Sequence, residues 1–116
     1  MKTTWKATAE DVIAHLVYSG ASQYGWYHQL HDEDGKIVVS IENGEFDDET
    51  GEPVVVTKTF TPTALIGVVH DIIINQKDGW RAVQEAISFD EDDADFDSDS
   101  ADIVLQHAVL GEVVFG

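Results

Sequence analysis

The chain has 116 residues, and 23 Asp and Glu against 6 Lys and Arg give it a formal net charge of −17. Such a charge repels nucleic acid phosphates and anionic lipid surfaces, which argues against a direct nucleic-acid or membrane partner and for a basic partner or a multivalent cation. There is no cysteine, so disulfides, zinc–thiolate sites and thiol chemistry are excluded, and the 43% hydrophobic fraction fits a folded chain of one domain, residues 1–116.

The opening Met1-Lys2-Thr3-Thr4-Trp5-Lys6 has no apolar h-region, so no secretory signal is expected. No apolar run reaches the roughly 18 residues of a membrane span. A cytoplasmic protein is the expectation. The first helix is predicted over Thr8–Ser19, with Thr8 as N-cap, Asp11 completing a capping box and Gly20 as the stop. Val12, Ile13, Leu16 and Val17 form its apolar face, and Trp5 is placed to fold back on it.

Residues 23–31 are rich in aromatics: Tyr24, Trp26 and Tyr27, with Leu30 after them. In an extended segment Tyr24, Trp26, His28 and Leu30 share a face, and a strand is preferred here over a helix. Asp34-Gly35 is the hairpin signal, and Lys36–Ile41 is the β-branched return strand. Glu42–Glu52 reads as an acidic loop broken by Gly44 and Gly51. Pro53 opens a third strand, Val54–Phe60, expected to lie antiparallel to Lys36–Ile41.

The central helix is predicted over Thr61–Gln76. Thr61 is its N-cap, and Pro62 sits in the first turn, where a missing N–H costs nothing. Leu65, Val68, Val69 and Ile72 make one stripe and Ile66 and Ile73 a second, leaving Ala64, Gly67, Asp71 and Asn75 on a narrow wet edge. Asp78-Gly79 ends this helix, and Trp80–Ile87 is a short one with Trp80, Val83, Ala86 and Ile87 inward. Phe89–Ser100 is a low-complexity acidic run, held at Phe89 and Phe96. Asp99 or Ser100 then caps a closing helix, Ala101–Leu110, that stops at Gly111 and leaves an apolar tail at Val113–Phe115. The fold class that follows is α+β: a small antiparallel sheet of about three strands packed against the central helix and the N- and C-terminal helices.

Candidate sites begin with the acids. An EF-hand loop needs alternating acids, a Gly at its sharp turn and a closing bidentate Glu. From Asp93 the turn falls on Ser98 and the closing ligand on Val104; from Asp95 they fall on Ser100 and Gln106. Neither register works. His28 and His31 share a face on a helix but not on a strand, and nothing else has ligand spacing. No metal, cofactor or catalytic residue is therefore assigned. There is no G-x-S-x-G, Walker A or G-x-G-x-x-G pattern, and carboxylates in acidic loops lack the burial that tunes acid–base groups.

The residues assigned to partner binding are Asp92, Asp93, Asp95 and Asp97 in the later acidic run, Asp47, Asp48 and Glu49 in the earlier one, and Trp26 and Tyr27. In an extended run Asp93, Asp95, Asp97 and Asp99 stand about 6.6 Å apart. That is about half the charge density of a DNA strand, with one phosphate per roughly 3.4 Å. A general binder of basic proteins is expected ahead of a close nucleic-acid mimic, and solubility alone is the competing role of the acids.

Asp102–Gly116, together with Tyr24-Gly25-Trp26-Tyr27, resembles small acidic proteins encoded by tailed phages of actinobacteria. The resemblance carries no activity. It implies a phage-encoded protein in a bacterial cytoplasm whose partner is a basic host protein. Two other functions stand beside this: a structural or oligomeric phage component whose acids serve solubility, and a small hydrolase or nucleotide-binding protein using the aromatic segment and His28. The oligomeric state is open, a dimer included.

Overall fold

A computed structural model describes residues 5, 7–88 and 95–116 of the chain. The fold is the expected α+β arrangement, a three-stranded antiparallel sheet in the order β1-β2-β3 with helices packed on it.

Helix α1 (Ala9–Val12) begins with the capping box the sequence encodes. The Thr8 hydroxyl accepts from the Asp11 N–H at 3.2 Å, and the Thr8 N–H donates to the Asp11 carboxylate at 3.1 Å. These bonds to Thr8, its backbone N–H first, hold the Asp11 carboxyl below its ordinary pKa. The helix widens into a π-helical stretch over Ile13–Val17, closed by the Tyr18 N–H on the Ile13 carbonyl. Val12, Leu16 and Val17 are buried, while Ile13 is only partly so. Trp5 does fold back. Its ring packs against Phe96 and edge-on to His15, and its backbone N–H donates to His70 Nε2 at 2.9 Å.

Strand β1 (Tyr27–Glu33) starts later than expected, so Tyr24 and Trp26 lie ahead of it. Asp34 and Gly35, at φ 52° and 76°, form the two-residue turn into β2 (Lys36–Phe46), and Glu33 pairs with Lys36. Ile37, Val39 and Ile41 alternate along the inner face of β2 and are fully buried. Ser40, on the opposite face, bonds its cross-strand partner Thr57 at 2.7 Å. β2 runs to Phe46, well past Ile41, and pairs with β3 (Pro53–Phe60) up to Phe46–Pro53, with an irregularity between Glu42 and Phe46. The first part of the expected acidic loop, Glu42–Phe46, is thus strand, and the turn is confined to residues 47–52.

Helix α2 (Pro62–Ile74) has the Thr61 cap, its hydroxyl accepting from the Ala64 N–H at 3.2 Å, and Pro62 at its start. Leu65, Val69, Ile72 and Ile73 are buried. Val68, expected with them, is only partly buried, and Ile74 is 71% exposed. The buried stripe runs nearer Ile73 than the sequence suggested. The helix also ends before Gln76, whose φ of 49° is incompatible with continuing it.

Helix α3 (Trp80–Ser88) buries Val83, Ala86 and Ile87, with Trp80 at the margin under Arg81. Helix α4 (Ser98–Leu110) begins earlier than expected. Its cap is Asp97, whose carboxylate accepts from the Ser100 N–H at 2.8 Å while the Ser100 hydroxyl accepts from the Asp97 N–H at 3.0 Å. Gly111 ends it. Phe96 is buried as expected, and Phe89 lies outside the described residues. One apolar cluster joins α1, the inner sheet face, α2, α3 and α4. No described helix is long and apolar enough to cross a membrane.

Candidate functional site

Two acidic regions emerge, and they differ in what their carboxylates do. The first is the far end of the β2–β3 hairpin, where every residue from 44 to 53 is exposed. The tip is folded. The Asp47 N–H donates to the Glu52 carbonyl and the Gly51 N–H to the Asp47 carbonyl, each at 2.8 Å. The Asp47 carboxylate accepts from the N–H groups of Glu49 at 2.8 Å and Thr50 at 3.1 Å. Those N–H groups, Thr50 first, hold its pKa below the ordinary carboxylate value. Glu52 N–H and Glu45 N–H are likewise taken by Thr50 Oγ1 and Asn43 Oδ1. The acids of this segment are exposed, as its loop-like composition suggests, and the Asx turn at Asp47 organises its tip.

Asp47 is therefore the residue that shapes the tip. Asp48 and Glu49, with Glu45 and Glu52, have no ion-pair partner among the described residues. Phe46 stands among them at 66% exposure. The arm thus offers four carboxylates without ion-pair partners among the described residues and an exposed aromatic ring, on a tip tied by several backbone hydrogen bonds.

The second region is built around Asp102. Its side chain points back from α4 and is 6% exposed. Oδ1 accepts from the Trp26 indole N–H at 2.9 Å and the Tyr27 hydroxyl at 2.7 Å, and Oδ2 accepts from the Gln106 amide at 2.9 Å. Fully buried Gln106 then fastens the tail. Its amide also donates to the Phe115 carbonyl at 2.9 Å, and its oxygen accepts from the N–H groups of Val114 and Phe115 at 2.8 and 2.9 Å. Burial, then the Asp102 hydrogen bond and charge, push the Tyr27 phenol far above its ordinary pKa.

Trp26 and Tyr27 are thus committed to the protein's own interior polar network. Trp26 is sandwiched, with Tyr24 on one side at 4.8 Å and Phe115 on the other at 5.0 Å, the planes within 1° and 7° of parallel. The Tyr24 hydroxyl donates to Asp99, which raises the Tyr24 pKa. A cleft of about 430 Å³ opens beside this column, lined by Asp78, Asp99, Asp102, Ile103, Val113 and Phe115. His107 holds its rim, with Nε2 donating to the Asp78 carbonyl at 2.8 Å. At Gly79 a Cβ would come within 2.7 Å of Ile103, and φ is +81°, so only glycine lets this turn lie against α4.

Of the later acidic run, Asp92 and Asp93 lie outside the described residues. Asp95 is exposed, and its N–H donates to the Ala86 carbonyl at 2.8 Å. Asp97 is the α4 cap, and its bonds to Ser100, backbone first, lower its pKa. Asp95, Asp97 and Asp99 line a groove between α3 and the start of α4 with Glu85. Among the described residues no group of three or more His, Asp and Glu is placed to hold a metal ion. His28 sits at a register shift of β1 and pairs with Glu42 at 2.9 Å, and His31 faces Glu33 at 3.7 Å.

Sequence reading missed Phe46, Asp99, Asp102, Gln106 and Phe115 as members of these two regions. One signal was present: Asp102 and Gln106 are polar residues four apart on an otherwise apolar helix face, a spacing that puts them in contact. Their partners in the Trp26–Tyr27 segment had no such signal. Comparison with known proteins gives no family for this arrangement: no family model, no curated protein and no solved structure matches the chain.

Proposed function

We propose that this chain is a non-enzymatic acidic binding protein that engages a basic surface of another protein through the β2–β3 arm. The observation that carries the reading is the tip itself. Its backbone is shaped by the Asp47 turn, while Glu45, Asp48, Glu49 and Glu52 lack cation partners among the described residues and share the tip with exposed Phe46. A pre-shaped tip loses little conformational entropy on binding. Its charges steer a basic partner, and the aromatic ring supplies the apolar anchor that interfaces concentrate at their centre. The resemblance of residues 102–116 to phage proteins supplies the setting, with a basic host protein as partner. The acids of the arm stand on a folded hairpin, not on a flexible run laid along a duplex-like path, so general recognition of a basic surface is favoured over nucleic-acid mimicry.

The test is capture of partners from an actinobacterial lysate on the immobilised chain, eluted with a salt gradient, beside a variant carrying Asp48→Asn, Glu49→Gln and Phe46→Ser. Asp47 is kept so that the turn survives. The reading expects partners that elute from the parent at higher salt than from the variant, because exposed charges are screened over about 8–10 Å at physiological ionic strength. Identical elution from both would leave the arm acids with solubility alone.

A further inference from the structure

The Asp102 cleft combines two features that have separate causes. The first is an aromatic column, Tyr24–Trp26–Phe115, nearly parallel throughout, whose last ring lines the cleft. The second is a carboxylate more than nine-tenths buried that is met only by neutral donors: an indole N–H, a phenol and a primary amide. Three donors occupy three of the roughly four acceptor positions of a carboxylate, which leaves one. No Lys, Arg or His forms an ion pair with Asp102, Asp99 or Asp78 among the described residues. A recess lined by charges of one sign, with apolar walls at Ile103 and Val113, focuses its potential on whatever enters.

We propose that this cleft receives an arginine side chain of the partner polypeptide, its guanidinium extending the aromatic column at Phe115 and donating to Asp99, Asp78 and the free position of Asp102. A guanidinium suits the site better than an ammonium. It is planar and weakly hydrated, it stacks on aromatic faces, and its fork of N–H groups serves several carboxylate oxygens at once. The proposal rests on the reading that the partner is basic, and it adds the residue type and the place. The C-terminal tail runs between the two surfaces. Val114, next to Phe115 in the tail that Gln106 fastens, approaches Gly44 at the base of the arm, where a Cβ on Gly44 would meet it at 3.0 Å. A partner held by the arm thus has the cleft beside it.

The test uses the full chain and defined peptides, independent of any partner. Blocked Gly-Arg-Gly is titrated while the indole N–H resonance of Trp26 and the backbone resonances of residues 99–116 are followed. Blocked Gly-Lys-Gly and Gly-citrulline-Gly serve as controls, since citrulline keeps the planar head and removes the charge. Saturable shifts are expected at the cleft with the arginine peptide, about threefold weaker with lysine and about tenfold weaker with citrulline. Phe115→Leu should weaken the arginine titration about fivefold, the scale of a partly exposed cation–π contact. Asp99→Asn, an exposed position that threatens no core packing, should weaken it about threefold. The arm variant of the capture experiment, Asp48→Asn/Glu49→Gln/Phe46→Ser, should leave it within a factor of two. Equal shifts with arginine and lysine, or with arginine and citrulline, would overturn the proposal. So would shifts confined to residues 45–52, or an Asp99→Asn variant that titrates like the parent. Because the arm variant is silent here and decisive in the capture experiment, failure of one reading is distinguishable from failure of the other.

Discussion

The hairpin tip and the Asp102 network are both acidic, and they put their carboxylates to opposite uses. At the tip, Asp47 ties the backbone into shape and leaves Asp48 and Glu49 without cation partners among the described residues. In the network, one carboxylate collects donors from Trp26, Tyr27 and Gln106 and so joins β1, the segment before it, and α4. The difference lies in where the lone pairs go. A carboxylate whose acceptor positions are filled by the protein organises the fold, and one whose positions face water is available to a partner. Net charge says nothing about which is which.

The comparison breaks first if Asp102 is not the organiser. Asp102→Ala is expected to cost about 3–5 kcal/mol, since it orphans up to three donors at about 1–3 kcal/mol each, partly offset by removing a buried charge. Denaturant unfolding monitored by tryptophan fluorescence measures it. A loss under 1 kcal/mol would mean water replaces the carboxylate and the network holds nothing. The network also has an alkaline signature. The Tyr27 pKa is raised in the folded state, so its contribution is complete below the unfolded value of about 10 and is lost as pH rises beyond it. Melting temperature should fall on the alkaline side in the parent and fall less in Tyr27→Phe.

Next in size is the apolar core that both regions stand on. Leu65 is fully buried in α2, and Leu65→Ala is expected to cost about 2–5 kcal/mol. A variant melting within a degree of the parent would contradict its burial. Ile74→Ala, on the same helix but 71% exposed, should stay within about 0.5 kcal/mol.

These two isoleucine and leucine positions show what was legible. The Thr61-Pro62 start of α2 and the Asp34-Gly35 turn are local chemistry, and local chemistry reads directly from a sequence. Which side of an almost wholly apolar helix is covered depends on its neighbours, so Val68 and Ile74 could not be ranked from spacing. Glu42-Asn43-Gly44-Glu45 has loop composition, which hides the extension of β2 past Ile41; its pairing to Val55 and Pro53 is supplied by the other strand. The exposed acids of the candidate site were legible at Asp48 and Glu49, which carry nothing else. Trp26 and Tyr27 read from the sequence as surface aromatics because their hydrogen-bond partner lies 76 and 75 residues away on α4. A buried Asp reads as an exposed one until its donors are known.

A smaller effect is expected at Asp97, a capping carboxylate between the two extremes. Asp97→Ala should cost about 1 kcal/mol, the usual worth of an N-cap. Its pKa is lowered in the folded state, chiefly by the Ser100 N–H. The contribution is therefore present above the unfolded value of about 4 and is lost as pH falls through the folded one. Melting temperature followed from pH 6 downward should drop less steeply in Asp97→Asn than in the parent. Parallel curves would show that the cap is not the acid-labile contact.

The smallest effect on stability, and the sharpest for the comparison, is expected at the tip. Asp48→Asn and Glu49→Gln remove charges that face no cation among the described residues, on a chain with net charge −17. Self-repulsion falls while no hydrogen bond of the turn is lost, because the Glu49 and Thr50 N–H groups still reach Asp47. Stability should change by less than about 0.5 kcal/mol, with a slight gain at low salt. Asp47→Ala serves as the internal contrast. It removes the acceptor of both N–H groups at an exposed site, so it should destabilise more than the charge-neutralising pair and speed amide exchange at Glu49, Thr50 and Gly51. If Asp48→Asn and Glu49→Gln destabilise as much as Asp47→Ala, those side chains hold structure and the tip is another Asp102. If they leave folding untouched and still lower the salt at which a basic partner elutes, the tip is a binding surface on a turn that folds without it.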